Sequence, residues 1–207
     1  MRLFYFGSKE NMLSNIANKR VMISEIHRLN DPYEFFVDFH KNGVRSSDEV
    51  IEKIKEDFSK KMGILCLSKR SGDPVQWGHY ADKHKGIGLE FEIDKKHLIK
   101  ISYRKRPAKI DVEKHDWWDL FVETTKTKFS NWSYEKEYRL IIDLNSGKVF
   151  EVDDLKFVPF DDELVLKGVH LGCDCHLSPL EEIALSSIGA PIFSTKKSRG
   201  LYLIEKA

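Results

Sequence analysis

The chain has few cysteines, three in 207 residues, and no apolar run that approaches the ~18 residues a membrane helix needs. A disulfide framework and a transmembrane helix are therefore set aside as organising devices. The opening MRLFYF is too short for the apolar segment of a signal peptide and reads as a first strand. With an odd cysteine count these features predict a cytoplasmic protein in a reducing compartment, with no membrane partner. Charge of one sign is also lacking: 34 Lys and Arg oppose 33 Asp and Glu, a formal net charge of +1. No global field draws such a chain to nucleic acid or lipid. There is no glycine-rich phosphate loop, no GxSxG elbow and no HExxH, which removes the most easily read enzyme classes. Gly86-Ile-Gly88 precedes a strand pattern instead of following one, the wrong order for a dinucleotide fingerprint.

What is present is a globular composition, 41% hydrophobic and 32% charged, in a length that supports one substantial core. Strands are predicted at Leu3–Phe6, Val21–Ile23, Ile64–Ser68, Ile87–Ile93, Ile101–Tyr103 and Leu164–Leu171. Ser8 is placed to cap a helix carrying Met12, Leu13 and Ile16. Ser46-x-x-Glu49 reads as a capping box opening a helix with Ile51, Ile54, Phe58 and Met62 on one face, closed by Gly63. A short helix over Gln76–His84 would put Trp77, Tyr80, Ala81 and His84 on one side. Asp111–Lys128 suits a helix burying Trp117, Leu120 and Phe121. Asn145-Ser-Gly147 reads as a hairpin turn into Val149–Val152. Ser178-Pro179-Leu-Glu181 opens a last helix, and residues 191–194 and 200–204 form a terminal strand pair. Without repeats, linkers or regular βαβ alternation, the expectation is an α+β fold: one domain over 1–207, a mixed, mostly antiparallel sheet and peripheral helices.

The densest chemistry lies in Lys128–Asp143, KFSNWSYEKEYRLIID. Leu140, Ile141 and Ile142 read as a strand, and extending it back sets Glu135, Glu137, Arg139 and Ile141 on one face, because strand side chains alternate. Such an acid–acid–base row is either an ion-paired surface or the floor of a polar pocket, and the surface is the commoner case. Asn30, Asp31 and Glu34, in a turn with Pro32, either form the turn or orient sugar hydroxyls. Trp77, Tyr80 and His84 are either core or the aromatic wall of a flat ligand. Lys95–Lys109 holds seven lysines and arginines and no acid, either a solvated loop or an anion site. His170-Leu-Gly-Cys173-Asp-Cys175-His176 carries metal-ligand types, but there is no second Cys pair, so no metal is expected.

Taken together, several motifs resemble the bacterial and phage family known as domain of unknown function 2971. They are the aromatic strand Leu3–Phe6, Asn30-Asp31-Pro32-x-Glu34, Cys66-Leu-Ser68 and Trp77-x-x-Tyr80-Ala81-x-x-His84-x-Gly86-x-x-Leu89-x-Phe91. Ile101-x-Tyr103 and Lys128-x-x-x-Trp132-x-Tyr134-Glu135-x-Glu137-x-Arg139 complete the order, which spans residues 3–172. Gln76 departs from the methionine frequent in that family. The resemblance implies kinship and no activity.

In layout, a first strand followed much later by a strand bearing Glu-x-Glu is similar to the bacterial ADP-ribosyltransferases, which split NAD in a cleft between two packed sheets. This second resemblance implies that Glu137 stabilises an oxocarbenium-like transition state and that Glu135 orients or deprotonates the acceptor, with Arg139 as their partner. Tyr80 or Trp77 would stack on nicotinamide or adenine. Tyr5, Asn30, Asp31, Glu34, Ser68, His84 and Tyr134 complete the substrate-binding candidates. The first strand lacks that family's histidine, and no Ser-Thr-Ser element is present. The expected activity is NAD-dependent ADP-ribosyl transfer or NAD hydrolysis by a toxin or phage-defence effector, with a protein or nucleic-acid acceptor. Two rivals stand beside it: a non-catalytic nucleotide- or sugar-binding module, and a nuclease holding magnesium through Asp31, Glu34, Glu135 and Glu137.

Overall fold

The structure is a computed structural model describing all of residues 1–207. In chain order its elements are β1 (Arg2–Gly7), α1 (Lys9–Ala17), β2 (Arg20–Glu25), β3 (Asp38–Lys41), β4 (Val44–Arg45), α2 (Asp48–Lys61) and β5 (Met62–Ser68). Then come α3 (Pro74–Tyr80), β6 (Ile87–Glu92), β7 (Leu98–Lys100), β8 (Ser102–Arg104), β9 (Lys109–Asp111), α4 (Trp117–Thr125) and β10 (Thr127–Phe129). The last third holds β11 (Glu137–Asp143), β12 (Phe150–Val152), β13 (Leu155–Pro159), β14 (Val165–Leu171), α5 (Pro179–Ser186), β15 (Ile192–Lys197) and β16 (Ile204–Lys206). No helix is long and apolar enough to cross a membrane.

Eleven strands form one mixed sheet in the order β12-β13-β2-β5-β1-β6-β14-β15-β16, with β11 on the remaining edge of β5 and β7 outside it. All pairings in it are antiparallel except β14 with β15. The expected α+β fold with a mostly antiparallel sheet is what forms. Alternation along β5 explains how the sheet is covered. Leu65 and Leu67 turn to a core with Leu3, Leu89 and Val169, closed by Met12 and Ile16 of α1 and Leu185 of α5. Ile64 turns the other way, to Phe35, Phe58 and Phe121 under α2 and α4.

The pivotal strand is β5. Along one edge it pairs with all seven residues of β11, from Glu137↔Ser68 to Asp143↔Met62. Its other edge is shared. At one end β2 pairs through Ser24↔Ile64 and Glu25↔Gly63, and at the other β1 pairs only through Phe4↔Ser68. Between those contacts β1 and β2 diverge and open a cleft of about 260 Å³ over Cys66 and Ser68. The cleft thus lies in a split within one sheet, not between two separate sheets.

Several local expectations are corrected. The cap of α2 is Ser47, not Ser46, and its hydroxyl donates to Glu49 at 3.1 Å instead of capping the backbone. Met62 and Gly63 already belong to β5. The helix expected over Asp111–Lys128 is only α4, capped by Asp116, because Asp111 ends β9 and Lys128 lies in β10. The strand after Asn145 pairs with β13, so no hairpin with β11 forms. The helix expected through His84 stops at Tyr80: Asp82, Lys83 and His84 all take positive φ, which carries His84 off the helical face. The capping box of α5 forms as read, with Ser178 and Glu181 bonded reciprocally.

Candidate functional site

Residues Ser130–Glu135 wind as a 3₁₀ turn, and Lys136 then takes a left-handed conformation (φ 48°, ψ 46°) before β11 begins. Glu135 is therefore not on the strand, and the alternation argument does not apply to it. The bend at Lys136 nevertheless turns Glu135 onto the side of Glu137 and Arg139. The turn is held by Ser68, whose Oγ lies 2.6 Å from the Glu135 carbonyl oxygen, and by the Lys69 amide donating to the Lys136 carbonyl at 3.1 Å. Both anchors come from the end of β5, so the register of β11 on β5 positions the acids.

The row is buried, not an ion-paired surface. Arg139 has no exposed area, and Glu34, Glu135, Glu137 and Lys128 are nearly as enclosed. Lys128 Nζ touches three carboxylates: Glu135 Oε2 at 2.7 Å, Glu137 Oε2 at 3.0 Å and Glu34 Oε1 at 3.3 Å. Arg139 donates from Nε to Glu137 Oε1 at 2.6 Å, from Nη2 to Glu34 Oε1 at 2.6 Å and to Glu137 Oε2 at 3.3 Å, and from Nη1 to the Thr125 carbonyl at 3.0 Å. Three carboxylates against two cations leave one formal negative charge in excess in a desolvated setting, where it is costly. Glu34 Oε2 is buried without a partner.

This imbalance divides the two central glutamates. Burial works against ionisation at Glu137, but Arg139 and Lys128 outweigh it and hold the carboxyl down to about 2. At Glu135 burial prevails over Lys128 and Tyr80, with the charge of Glu137 adding to it, so its carboxyl lies above the usual range. The cost of the excess charge is thus felt most at Glu135, whose carboxyl holds a proton more readily than that of Glu137. Lys128 stays charged: burial disfavours the ammonium, but Glu137, Glu34 and Glu135 raise its pKa.

Glu135 faces the cleft. The Tyr80 hydroxyl donates to Glu135 Oε1 and accepts from Asn30 Nδ2 at 2.6 Å. Ser68 Oγ also reaches Gln76 Oε1 at 2.9 Å. The walls are Phe4, Tyr5 and Phe6 from β1 and Met22 and Ser24 from β2. The Tyr5 hydroxyl reaches the Met22 carbonyl at 3.3 Å, tying the two diverging strands together. Burial raises the pKa of both tyrosines, so they act as neutral donors.

Of the residues singled out in the sequence, Tyr5, Asn30, Ser68, Tyr80, Glu135 and Glu137 line one cleft. Arg139 and Glu34 lie behind it as ion-pair partners. Tyr134 stands near α3, its hydroxyl 2.8 Å from His79 Nδ1, without lining the cleft. Asp31 is a turn former: Oδ1 accepts from the Tyr33 amide at 2.9 Å, and it does not line the cleft. Trp77 is core, fully buried against Phe6 with its indole N–H donated to the Ser71 carbonyl at 2.6 Å, so it offers no ring to a ligand. His84 lies away from the cleft; its carbonyl accepts from the Asp174 amide at 3.1 Å. His170 turns inward to Glu90 at 2.9 Å and sets its ring edge-on to Phe4. The carboxylates suggested for magnesium do not form a cage. Asp31 points elsewhere, and the Lys128 ammonium fills the space where Glu34, Glu135 and Glu137 converge.

Lys128 is the member of this cluster that the candidate site residues read from the sequence do not include. A lysine between Thr127 and Phe129 reads as the solvent end of a helix, and its signal emerges only once Thr127–Phe129 is seen as a strand beside Ser102–Arg104. Comparison with protein-family models, with curated proteins and with solved structures finds no match to this chain.

Proposed function

We propose that the cleft binds a nucleotide-type molecule, NAD in the first place, and that the protein cleaves the bond between nicotinamide and ribose. The observation that carries this reading is the excess negative charge at the buried end of the cleft. As the C1′–N bond stretches, positive charge moves from the pyridinium ring to the ribose C1′, and a preorganised anion placed at C1′ favours that transition state over the ground state. Breaking the C1′–N bond sends its electron pair onto the nicotinamide ring and neutralises the pyridinium. Water or an acceptor hydroxyl then bonds to C1′ and loses its proton. Glu135 is suited to receive it, because its affinity for a proton is raised and it faces the cleft. Asn30 and Tyr80 are suited to hold the ribose hydroxyls. A cleft of about 260 Å³ sits just below the usual ~300–1,000 Å³ of ligand sites and suits one nucleoside half, leaving the rest along its mouth.

Glu135 keeps the role the transferase resemblance implies, and Glu137 departs from it. Both acids line the cleft, but Glu137 is held by two cations and acts as a positioning residue, whereas Glu135 has a single cationic partner and is the acid free to exchange a proton with the substrate. Glu137→Gln is consequently no clean probe of chemistry, since it would press an amide N–H₂ against Lys128 or Arg139. The test is nicotinamide release from NAD in the presence of EDTA, with and without cell lysate as acceptor source. Wild type releases nicotinamide, and Glu135→Gln loses about 10²-fold or more while keeping its fold. An inactive wild type under both conditions, or a fully active Glu135→Gln, refutes the proposal. A second reading, a non-catalytic nucleotide- or sugar-binding module, is favoured by one observation: both Glu137 oxygens are already occupied by cations. It expects saturable binding of NAD or a nucleoside without turnover.

A further inference from the structure

A second cavity, of about 360 Å³, lies on the other side of Lys128. Its walls are the rings of Tyr33, Phe36 and Phe129 and the segment Arg104-Lys105-Arg106-Pro107-Ala108, and no lining side chain is acidic. Tyr33 and Phe36 are 55% and 46% exposed, unusual for neighbouring aromatics whose ring centres stand 5.4 Å apart edge to face. Phe129 continues the set, 6.2 Å from Tyr33. The cations are equally unspent: Arg104, Lys105 and Arg106 are exposed, consecutive in the chain, and none has a carboxylate within 4.0 Å. This is no loose loop. Arg104 pairs with Phe129 in the β8–β10 ladder, the Ala108 carbonyl accepts from the Asp38 amide at 2.8 Å, and Lys109 enters the ladder of β9 with β3.

We infer that this groove is a docking site for single-stranded nucleic acid, with unpaired bases stacking on Tyr33 and Phe36 and successive phosphates tracking Arg104, Lys105 and Arg106. A row of unpaired cations beside open aromatic faces is what such a strand requires, since every base has a stacking face and every nucleotide a charge. A duplex hides its base faces and cannot use the rings. An acidic peptide matches the cations but leaves the rings idle. The inference stands apart from the chemistry proposed for the cleft, because binding here needs no NAD.

The test is fluorescence anisotropy of a labelled single strand of about 12 nucleotides, within the ~4–16 that such grooves cover. The same duplex, heparin and polyglutamate serve as competitors. The single strand should bind and outcompete all three. Tyr33→Ala with Phe36→Ala removes two stacking rings and should weaken binding by about 30-fold or more. Arg104→Ala with Arg106→Ala should make the logarithmic salt dependence shallower by about 1.4, two contacts at ~0.7 each. All four side chains are exposed, so circular dichroism should be unchanged. No binding by wild type at low salt overturns the inference. So does equal competition by heparin or polyglutamate combined with indifference to loss of Tyr33 and Phe36, which would mark a site for any polyanion. Nicotinamide release, measured on the same variants without oligonucleotide, separates this outcome from the fate of the cleft proposal.

Discussion

Replacing Lys128 by Met removes the one group that touches all three buried carboxylates and keeps most of the side chain's volume. In wild type the cluster carries a formal charge of −1, three acids against Lys128 and Arg139; in the variant it carries −2, with Arg139 alone to offset it. Glu135 then loses its only cationic partner. Removing one member of a buried ion pair typically costs about 3–5 kcal/mol, because the surviving charge stays desolvated without compensation. Against a total stability of roughly 5–15 kcal/mol, that is a large fraction. Urea unfolding at neutral pH, followed by tryptophan fluorescence and far-ultraviolet circular dichroism, should show the loss. Glu135→Gln in the Lys128→Met background restores the charge to −1 and should recover more than about 1 kcal/mol. Glu135→Gln alone should cost less than about 1 kcal/mol, since Gln still accepts from Lys128 and its amide can donate to Tyr80. A Lys128→Met cost below about 1 kcal/mol, or no recovery in the double variant, would refute the account of the cluster as one electrostatic unit.

Two further outcomes follow from the geometry. Glu137 has a folded pKa below its ordinary value, so the stability it contributes is present above pH 4.5 and is lost as the pH falls toward 2. That loss is on the order of 3 kcal/mol, softened by Glu135, whose raised pKa makes the folded state bind its proton more tightly; a urea midpoint flat across this window would contradict it. Ser178→Ala should cost about 1 kcal/mol and Ser46→Ala less than about 0.5 kcal/mol in the same assay, because only Ser178 caps a helix. Equal costs would overturn that assignment.

Much of the frame was legible in the sequence because short apolar runs bounded by turn residues mark strands whether one face is buried or both. Leu3–Phe6, Ile64–Ser68, Ile87–Ile93 and Leu164–Leu171 all lie in strands of the main sheet, to within a residue at their ends. The site was legible as well, in part for a mistaken reason. Glu135, Glu137 and Arg139 do converge, but a left-handed Lys136 brings Glu135 in, and no alternation rule anticipates a non-glycine residue there. Burial of the row was not legible, since identical letters describe an exposed ion-paired strand, and the difference is made by α4 and the Asn30–Glu34 turn packing over it. Trp77 and His84 misled because helical spacing was extended past Tyr80, where three successive positive φ values end it. The residues 111–128 misled because a single helix pattern hid a strand, a short turn and a cap.

The buried charges are unevenly distributed along the chain. Lys128, Glu135, Glu137 and Arg139 fall within twelve residues and cancel one another, so that segment assembles as a neutral unit. The surplus arrives with Glu34, 105 residues from Arg139. Seating the Asn30–Glu34 turn is thus the electrostatically adverse step of closing the fold, driven by the adjacent Phe35, which buries itself almost completely against Phe58 and Phe121. That same turn carries Asn30 at the cleft on one side and Tyr33 at the basic groove on the other. The turn that brings the surplus charge is therefore also a wall that both grooves share.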